Sequence, residues 1–114
     1  MVLVDTSVWI DHLRRGDHRL TGLLEQAEVL SHSLVIGELA CGNIQNRATV
    51  LQLLRRLPMA AELEHPEAWQ FIDAQRLFGR GVGMVDVHLL ASARLSQATL
   101  WTRDRRLNEL AAEL

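Results

Sequence analysis

The first residues of the chain place a carboxylate directly after a short apolar run. Val2–Val4 do not alternate with polar residues, which predicts a strand that is buried on both faces. Asp5 follows at the carboxyl end of this strand, and Thr6 or Ser7 is well suited to cap the helical pattern that begins next. Ligands bind at the carboxyl ends of the strands in an open parallel α/β sheet. Asp5 is therefore predicted to lie at a ligand-binding edge.

The remainder of the chain alternates helical and strand-like patterns. We predict helices at residues 7–15, 20–27, 34–40 with Ser33 as N-cap, 48–57, 66–78, 84–95, and a last one that ends at 114. Strands are predicted at residues 2–4, 28–32, 59–63 and 98–102. This alternation implies a small parallel sheet covered by helices on both faces, which is a three-layer α/β/α sandwich. A chain of 114 residues has room for one such domain, spanning residues 1–114.

The composition indicates a globular protein of the cytoplasm. No apolar run approaches the roughly 20 residues needed to cross a bilayer. The N-terminus lacks the basic and apolar regions of a signal peptide. Cys41 is the single cysteine and has no partner for an intramolecular disulfide, which favours a reducing compartment. We expect its small side chain to be buried.

The charged residues limit the functions that the chain can perform. Net charge is −2, so no strong overall field attracts the chain to nucleic acid. All 12 basic residues are arginine and none is lysine, which excludes every mechanism that requires an active-site lysine.

Four acidic residues stand in unusual contexts. Asp5 directly follows a predicted strand, and Asp104 lies two residues beyond the end of another. Glu38 and Asp86 lie within apolar stretches, where carboxylates are seldom found without a partner. Each has a simpler explanation on its own: Asp86 and Asp104 as helix N-caps, and Glu38 as the partner of an arginine.

The joint placement of these residues suggests a metal site. Their positions bring four carboxylates toward one edge of the sheet, with no lysine to neutralise them, and repulsion raises carboxyl pKa values unless a cation is present. Hard oxygen ligands suit Mg²⁺ or Mn²⁺. Two such ions about 3.5–4 Å apart can activate water and stabilise the leaving oxygen of a phosphodiester. The pattern is therefore typical of a nuclease.

Four ordered sequence blocks resemble the PIN domain, and more narrowly the VapC-like toxins of bacterial type II toxin–antitoxin modules. The blocks are Val-Asp5-Thr-Ser7-Val-Trp-Ile, Ile-Gly-Glu38-Leu, Asp86-Val-His-Leu-Leu-Ala-Ser-Ala93 and Leu-Trp-Thr-Arg-Asp104-Arg-Arg-Leu. The resemblance implies a metal-dependent endoribonuclease that uses Mg²⁺ or Mn²⁺. Asp5, Glu38 and Asp86 match the three principal acidic positions, and Asp104 matches a more variable fourth. The resemblance further implies that Asp5 and Asp86 bind the main metal directly.

The same resemblance extends to neighbouring residues and to partners. Ser7 and Thr102 match hydroxyl positions that orient metal-bound water or the carboxylates, although both also suit a helix cap or a strand end. The implied partners are RNA, a cognate antitoxin and a second copy of the chain. Leu20, Leu23, Leu24 and the leucines of 51–57 can supply the antitoxin groove or simply belong to the core. Relatives continue into a further edge strand, which we expect to be absent or formed differently here.

The remaining chemistry-bearing residues support weaker predictions. Arginines close to the acids could hold RNA phosphates bidentately or form a solvated charged face; they are Arg80, Arg103, Arg105 and Arg106. Tryptophans 9, 69 and 101 lie at packing positions and are expected in the core or an interface. The five histidines include no closely spaced ligand pair, which argues against a zinc site.

Two other functions are consistent with parts of the sequence. Aspartyl phosphotransfer, as in receiver domains or haloacid-dehalogenase-like phosphatases, also places an aspartate after a strand. It usually requires a lysine, and the phosphatase pattern wants a second aspartate where Ser7 stands. A catalytically silent module that binds RNA or protein is the other alternative, and the presence of all four acids argues against it.

Overall fold

The computed structural model describes residues 1–114, which form three strands and seven helices. In chain order these are β1 (Val2–Val4), α1 (Thr6–Arg15), α2 (His18–Glu25), β2 (Val29–Leu30), α3 (Ser33–Cys41), α4 (Arg47–Arg56), α5 (His65–Gln75), α6 (Met84–Leu95), β3 (Thr99–Trp101) and α7 (Arg105–Glu113). The predicted α/β fold with a small parallel sheet is confirmed.

The sheet has the strand order β2-β1-β3, and both pairings are parallel. The chain moves from β1 to β2 in one direction and then returns past β1 to reach β3. Because parallel crossovers are right-handed, this reversal places α1 and α2 on one face and α6 on the other. The reversal also makes the carboxyl end of β1 a topological switch point, where the two connections diverge and leave a crevice.

The register brings Asp5 beside the loop that follows β3. Val4 pairs with Trp101, so the next residue on each strand, Asp5 and Thr102, are neighbours across the sheet edge. The Asp5 amide donates to the Trp101 carbonyl at 2.9 Å, and the Asp5 carbonyl accepts from the amides of Val8 and Trp9 in α1. Asp5 is therefore the single residue that links the end of β1 to the start of α1.

Three predicted features of the secondary structure are wrong. The strand at 59–63 is reduced to one parallel bridge between Met59 and Ser31, because alanine and glutamate hold extended backbone poorly. Asp5, rather than Thr6 or Ser7, occupies the N-cap of α1. His32, rather than Ser33, caps α3, and its Nδ1 accepts the Leu34 amide at 3.0 Å.

Helix ends also differ from the sequence pattern where the backbone turns left-handed. We predicted the fifth helix to run to 78, but α5 ends at Gln75 because Arg76 adopts φ 54°. A capping box between Glu64 and Glu67 starts this helix, with Pro66 in its first turn. The start of the helix is therefore more strongly encoded in the sequence than its end.

The core gathers buried apolar residues from the sheet and the helices that cover it. It includes Leu3, Leu20, Leu51, Leu54 and Leu89. Three leucines of the predicted antitoxin groove are thus core residues. Leu23 and Leu24 are half-buried at its margin and Leu53 is exposed.

One expectation about burial is wrong, because Cys41 is exposed at the end of α3 instead of buried. Trp69 lies on α5 with 58% of its surface exposed. The core is therefore excluded for Trp69, and its place in an interface stays a prediction. No helix is both long enough and apolar enough to cross a bilayer.

Candidate active site

Asp5 is the most enclosed of the four acids (Asp5, Glu38, Asp86 and Asp104), with 8% of its surface exposed. Its Oδ2 accepts two hydroxyl hydrogen bonds, from Ser7 Oγ at 2.9 Å and from Thr102 Oγ1 at 2.7 Å. These bonds fix the orientation of the carboxylate and partly replace the water lost on burial. No hydrogen bond reaches Oδ1, which leaves that oxygen available.

Glu38 approaches the same region from α3. Its Oε1 accepts a hydrogen bond of 2.7 Å from the Thr6 hydroxyl, at the start of α1. Helices α1 and α3 pack together, so this contact ties the exposed Glu38 carboxylate to the helix that Asp5 begins. The alternative that Glu38 pairs with an arginine is not what the structure shows.

Asp104 serves as the N-cap of α7, as one reading of the sequence proposed. Its Oδ1 accepts the Leu107 amide at 3.0 Å, while its own amide donates to Thr102 Oγ1 at 3.0 Å. Oδ2 takes part in neither bond. The cap role therefore leaves one carboxylate oxygen free beside the site.

Asp86 is not a helix cap, because Gly83 occupies that position of α6 and Asp86 lies in the first helical turn. It lines a cleft of about 260 Å³ together with Asp104 and Arg106. The α6 dipole favours a negative charge there by about 0.3–1 kcal/mol.

The pKa of Asp86 is nevertheless raised. Burial is the largest cause, followed by the negative charges of Asp5, Asp104 and Glu38, in that order. Burial and repulsion together outweigh the helix dipole. This dependence shows that the other three acids lie close enough to act electrostatically on Asp86.

These residues fit a hard divalent cation by their donor chemistry. Three carboxylates lie close enough to Asp86 to raise its pKa, and no lysine is present to neutralise them. No group of three or more histidine, cysteine or acidic side chains is arranged so that it could hold a metal ion by itself. Mg²⁺ is usually bound through one or two carboxylates, with water and phosphate completing its shell, so an open arrangement suits it.

Three of the four predicted phosphate-binding arginines form intramolecular ion pairs. Arg80 pairs bidentately with Glu113, Arg105 pairs with Glu109, and Arg103 bridges Asp11 and Asp17. The guanidinium of Arg103 faces Asp11 and Asp17 rather than the four acids. Phosphate binding by Arg80, Arg103 or Arg105 stays a prediction.

Arg106 differs from these three because it forms no ion pair. Its guanidinium lies over Gly81, which has φ 75°, and a side chain at Gly81 would collide with it. Arg106 also lines the cleft that contains Asp86 and Asp104. It is therefore the predicted arginine that the structure brings to the acidic edge.

Two contacts of the site were missed by the sequence reasoning. Thr6 was considered only as a helix cap, whereas its hydroxyl holds Glu38. The consecutive amides of Arg103 and Asp104 hold the hydroxyls of Ser7 and Thr102. The adjacency of Thr6 to Asp5 could have indicated a role for Thr6 in the site. The contacts of backbone amides could not be predicted, because every residue other than proline carries the same amide group.

The parallel sheet, its switch point and the four acids at the carboxyl end of β1 define a class of small α/β nuclease-like domains. The sequence matches the PIN domain family over residues 2–113, and the chain belongs to that family.

Named relatives and solved structures agree with this assignment. The chain is 50% identical, over 114 residues, to Ribonuclease VapC32 from two strains of Mycobacterium tuberculosis, covering 99% of this chain and 92% of the relative. The fold resembles FitAcB from Neisseria gonorrhoeae, with a TM-score of 0.65, 22% identity and coverage of 98% and 94%. It also resembles PAE2754 from Pyrobaculum aerophilum, with a TM-score of 0.61, 18% identity and coverage of 96% and 78%.

Proposed function

We propose that the chain is a divalent-metal-dependent endoribonuclease that hydrolyses RNA and acts as the toxin of a toxin–antitoxin pair. The observation that carries the proposal is the raised pKa of Asp86, caused partly by the charges of the other three acids. An uncompensated acidic edge of this kind binds a divalent cation well. The 50% identity to a relative named as a ribonuclease supports RNA as the substrate.

Asp5 and Asp86 would hold the ion directly, and Glu38 and Asp104 would hold it directly or through water. When bound, Mg²⁺ or Mn²⁺ supplies activation of water and stabilisation of negative charge at the phosphodiester. The Ser7 and Thr102 hydroxyls hold the Asp5 carboxylate in one orientation through Oδ2. The Asp5 carboxylate therefore needs to move less when the metal ion binds.

Arg106 is proposed to contact an RNA phosphate. Its guanidinium is free of internal ion pairs and shares a cleft with Asp86 and Asp104. Arginine recognises phosphate through two parallel N–H···O bonds, which fix orientation as well as adding affinity. In a chain with net charge −2, such local contacts replace a global basic field.

The cognate antitoxin is the proposed protein partner, supported by the similarity to a VapC protein. Leu23, Leu24 and Leu53 remain partly accessible for such a contact, whereas the buried leucines do not. Copurification with the product of the adjacent upstream gene tests this assignment. Sedimentation of the purified chain tests the proposed homodimer.

Incubation of purified protein with mixed RNAs and Mn²⁺ or Mg²⁺ tests the catalytic proposal, with Asp5→Ala as the comparison. We expect cleavage by the wild type, and loss of cleavage in Asp5→Ala and in excess chelator. Cleavage that persists in either case contradicts the mechanism. Absence of cleavage by antitoxin-free wild-type protein favours the alternative of a silent binding module.

A further inference from the structure

Both hydroxyls that hold Asp5 are themselves held by consecutive backbone amides. The Arg103 amide donates to Ser7 Oγ at 3.0 Å, and the Asp104 amide donates to Thr102 Oγ1 at 3.0 Å. An amide N–H only donates and an ionised carboxylate only accepts. Each hydroxyl therefore relays a hydrogen bond from the loop after β3 to Asp5 Oδ2.

This double relay makes the two oxygens of Asp5 unequal. Oδ2 receives both hydroxyl protons, whereas Oδ1 receives no hydrogen bond. The unbonded oxygen has its lone pairs free for a cation. The position of the Arg103–Asp104 backbone thus decides which way the carboxylate faces.

The side chain of Arg103 fastens this backbone to the opposite side of the crevice. Its Nε donates to Asp11 Oδ2 at 3.2 Å on α1, and its Nη2 donates to Asp17 Oδ2 at 2.8 Å at the start of α2. Its guanidinium also lies 5.4 Å from the centre of the Trp101 ring. One side chain therefore joins β3, α1 and α2 around Asp5.

The acceptors of Arg103 are themselves fixed. Asp17 caps α2 by accepting the Leu20 amide through Oδ1, and its own amide donates to His12 Nδ1. An ion pair between two exposed and mobile side chains contributes little, but here the guanidinium meets two acids on a capped helix corner. Networks with fixed geometry restrain a loop better than isolated pairs do.

We propose that Arg103 is a positioning residue for the metal-binding carboxylate. Its ion pairs with Asp11 and Asp17 hold the loop so that the amides of residues 103 and 104 direct both hydroxyls onto Asp5 Oδ2, which presents Oδ1 to the cation. Arg103 touches neither the cation nor RNA. This inference rests on the proposed function, since it assumes that Asp5 binds a divalent ion.

Calorimetric titration of RNA-free protein with Mn²⁺ alone tests the inference. Arg103→Met keeps the stem of the side chain and removes both ion pairs. Arg15→Met is the matched control, because Arg15 pairs with Asp11 from α1 but does not reach the loop. Losses of an interaction behind a metal ligand weaken metal binding by about 10–100-fold. We expect a tenfold or greater loss of Mn²⁺ affinity in Arg103→Met, wild-type affinity in Arg15→Met, and partial recovery in Arg103→Lys.

Cleavage kinetics provide a second readout on the same variants. At saturating Mn²⁺ the KM for RNA should be unchanged in Arg103→Met, because the residue does not contact the substrate, while kcat at limiting Mn²⁺ falls. Equal Mn²⁺ affinity in wild type and Arg103→Met overturns the inference. A raised KM with unchanged Mn²⁺ affinity also overturns it, and returns Arg103 to the role of an RNA ligand.

Two further outcomes separate the inference from the proposed function. If Arg103→Met does not fold, the double variant Asp11→Asn and Asp17→Asn removes the same ion pairs. This variant must show the same loss of Mn²⁺ affinity. Wild-type Mn²⁺ affinity in the double variant overturns the inference. If wild-type protein binds no Mn²⁺, the proposed metal site fails, and the positioning role fails with it.

Discussion

Replacement of Thr102 by valine removes the hydroxyl that links Asp5 to the loop after β3 while preserving the shape of the side chain. Thr102 is buried, with 8% of its surface exposed, and its Oγ1 donates to Asp5 Oδ2 at 2.7 Å while accepting the Asp104 amide at 3.0 Å. Valine would leave a buried carboxylate oxygen with one donor instead of two. Valine would also remove the acceptor of the Asp104 amide, which would then have to donate its hydrogen bond to water.

The expected loss of stability follows from these two bonds. A hydrogen bond to a charged group contributes about 1.5–3 kcal/mol, and the Asp104 amide recovers part of its bond from water because it lies near the surface. We therefore expect the free energy of unfolding to fall by about 2 kcal/mol. With the unfolding entropy typical of a chain of this length, Tm falls by roughly 8 °C.

Thermal unfolding followed by circular dichroism, in chelator, measures this loss, with Thr102→Ser as the control. Serine keeps the hydroxyl and loses only a methyl group, so its Tm should lie much closer to that of the wild type. RNA cleavage should fall by about 10–100-fold in Thr102→Val, as for other groups that orient a metal ligand, and by much less in Thr102→Ser. Equal stability and activity of the two variants would refute the role assigned to the hydroxyl.

Three other variants test separate parts of the site. Asp86→Asn should abolish cleavage yet raise the stability of metal-free protein at pH 7 by about 1 kcal/mol, a typical gain where an active site holds unfavourable charge. The folded-state pKa of Asp86 is raised, so the stability that its protonation confers is present at low pH and is lost as pH rises through that pKa. The gain in stability from asparagine should therefore vanish below about pH 4, where the carboxyl group is protonated in the folded and the unfolded protein. A gain that persists below that pH contradicts this prediction. Burial lowers the pKa of His32; the charge of Glu62 opposes this shift and that of His88 adds to it. The stability of the wild type should therefore decline as pH falls below about 6.5, where the imidazole becomes protonated in the unfolded protein. Denaturant titrations at several pH values should show a flatter pH dependence of stability for His32→Asn, which can still cap α3. An equal slope in the two proteins contradicts the prediction. Arg106→Met should lower kcat/KM for RNA by about tenfold or more, as expected for loss of a charge-assisted hydrogen bond, without changing Mn²⁺ affinity, whereas Arg15→Met should change neither.

The fold and the acidic residues could be predicted from the sequence because both depend on local patterns. An unbroken apolar run that ends in Asp5 indicates a buried parallel strand and its ligand-binding end, and the carboxylates set among apolar residues indicate where compensation is needed. The start of α5 was predicted to within one residue, because Pro66 in its first turn is a local signal.

The roles of the arginines could not be predicted, because they depend on tertiary partners. Arg103 and Arg106 are three residues apart, yet one bridges acids on two other elements and the other is free of ion pairs. The strand predicted at 59–63 failed for a related reason. Its few residues find a pairing partner only at Ser31, and a short extended segment becomes a strand only through its neighbours.

The origin of the oxygen in the cleavage product tests the central claim most directly. Reaction of wild-type protein and RNA with Mn²⁺ in ¹⁸O-labelled water, followed by mass spectrometry of the product ends, reports which nucleophile attacked the phosphodiester. Hydrolysis by water activated at the four acids predicts that each cleavage leaves one phosphate, on one of the two new ends, and that this phosphate carries one solvent ¹⁸O. Asp86→Asn should give none of this product. Ends that carry a 2′,3′-cyclic phosphate without solvent oxygen, or labelled products that persist in Asp86→Asn, would contradict the account.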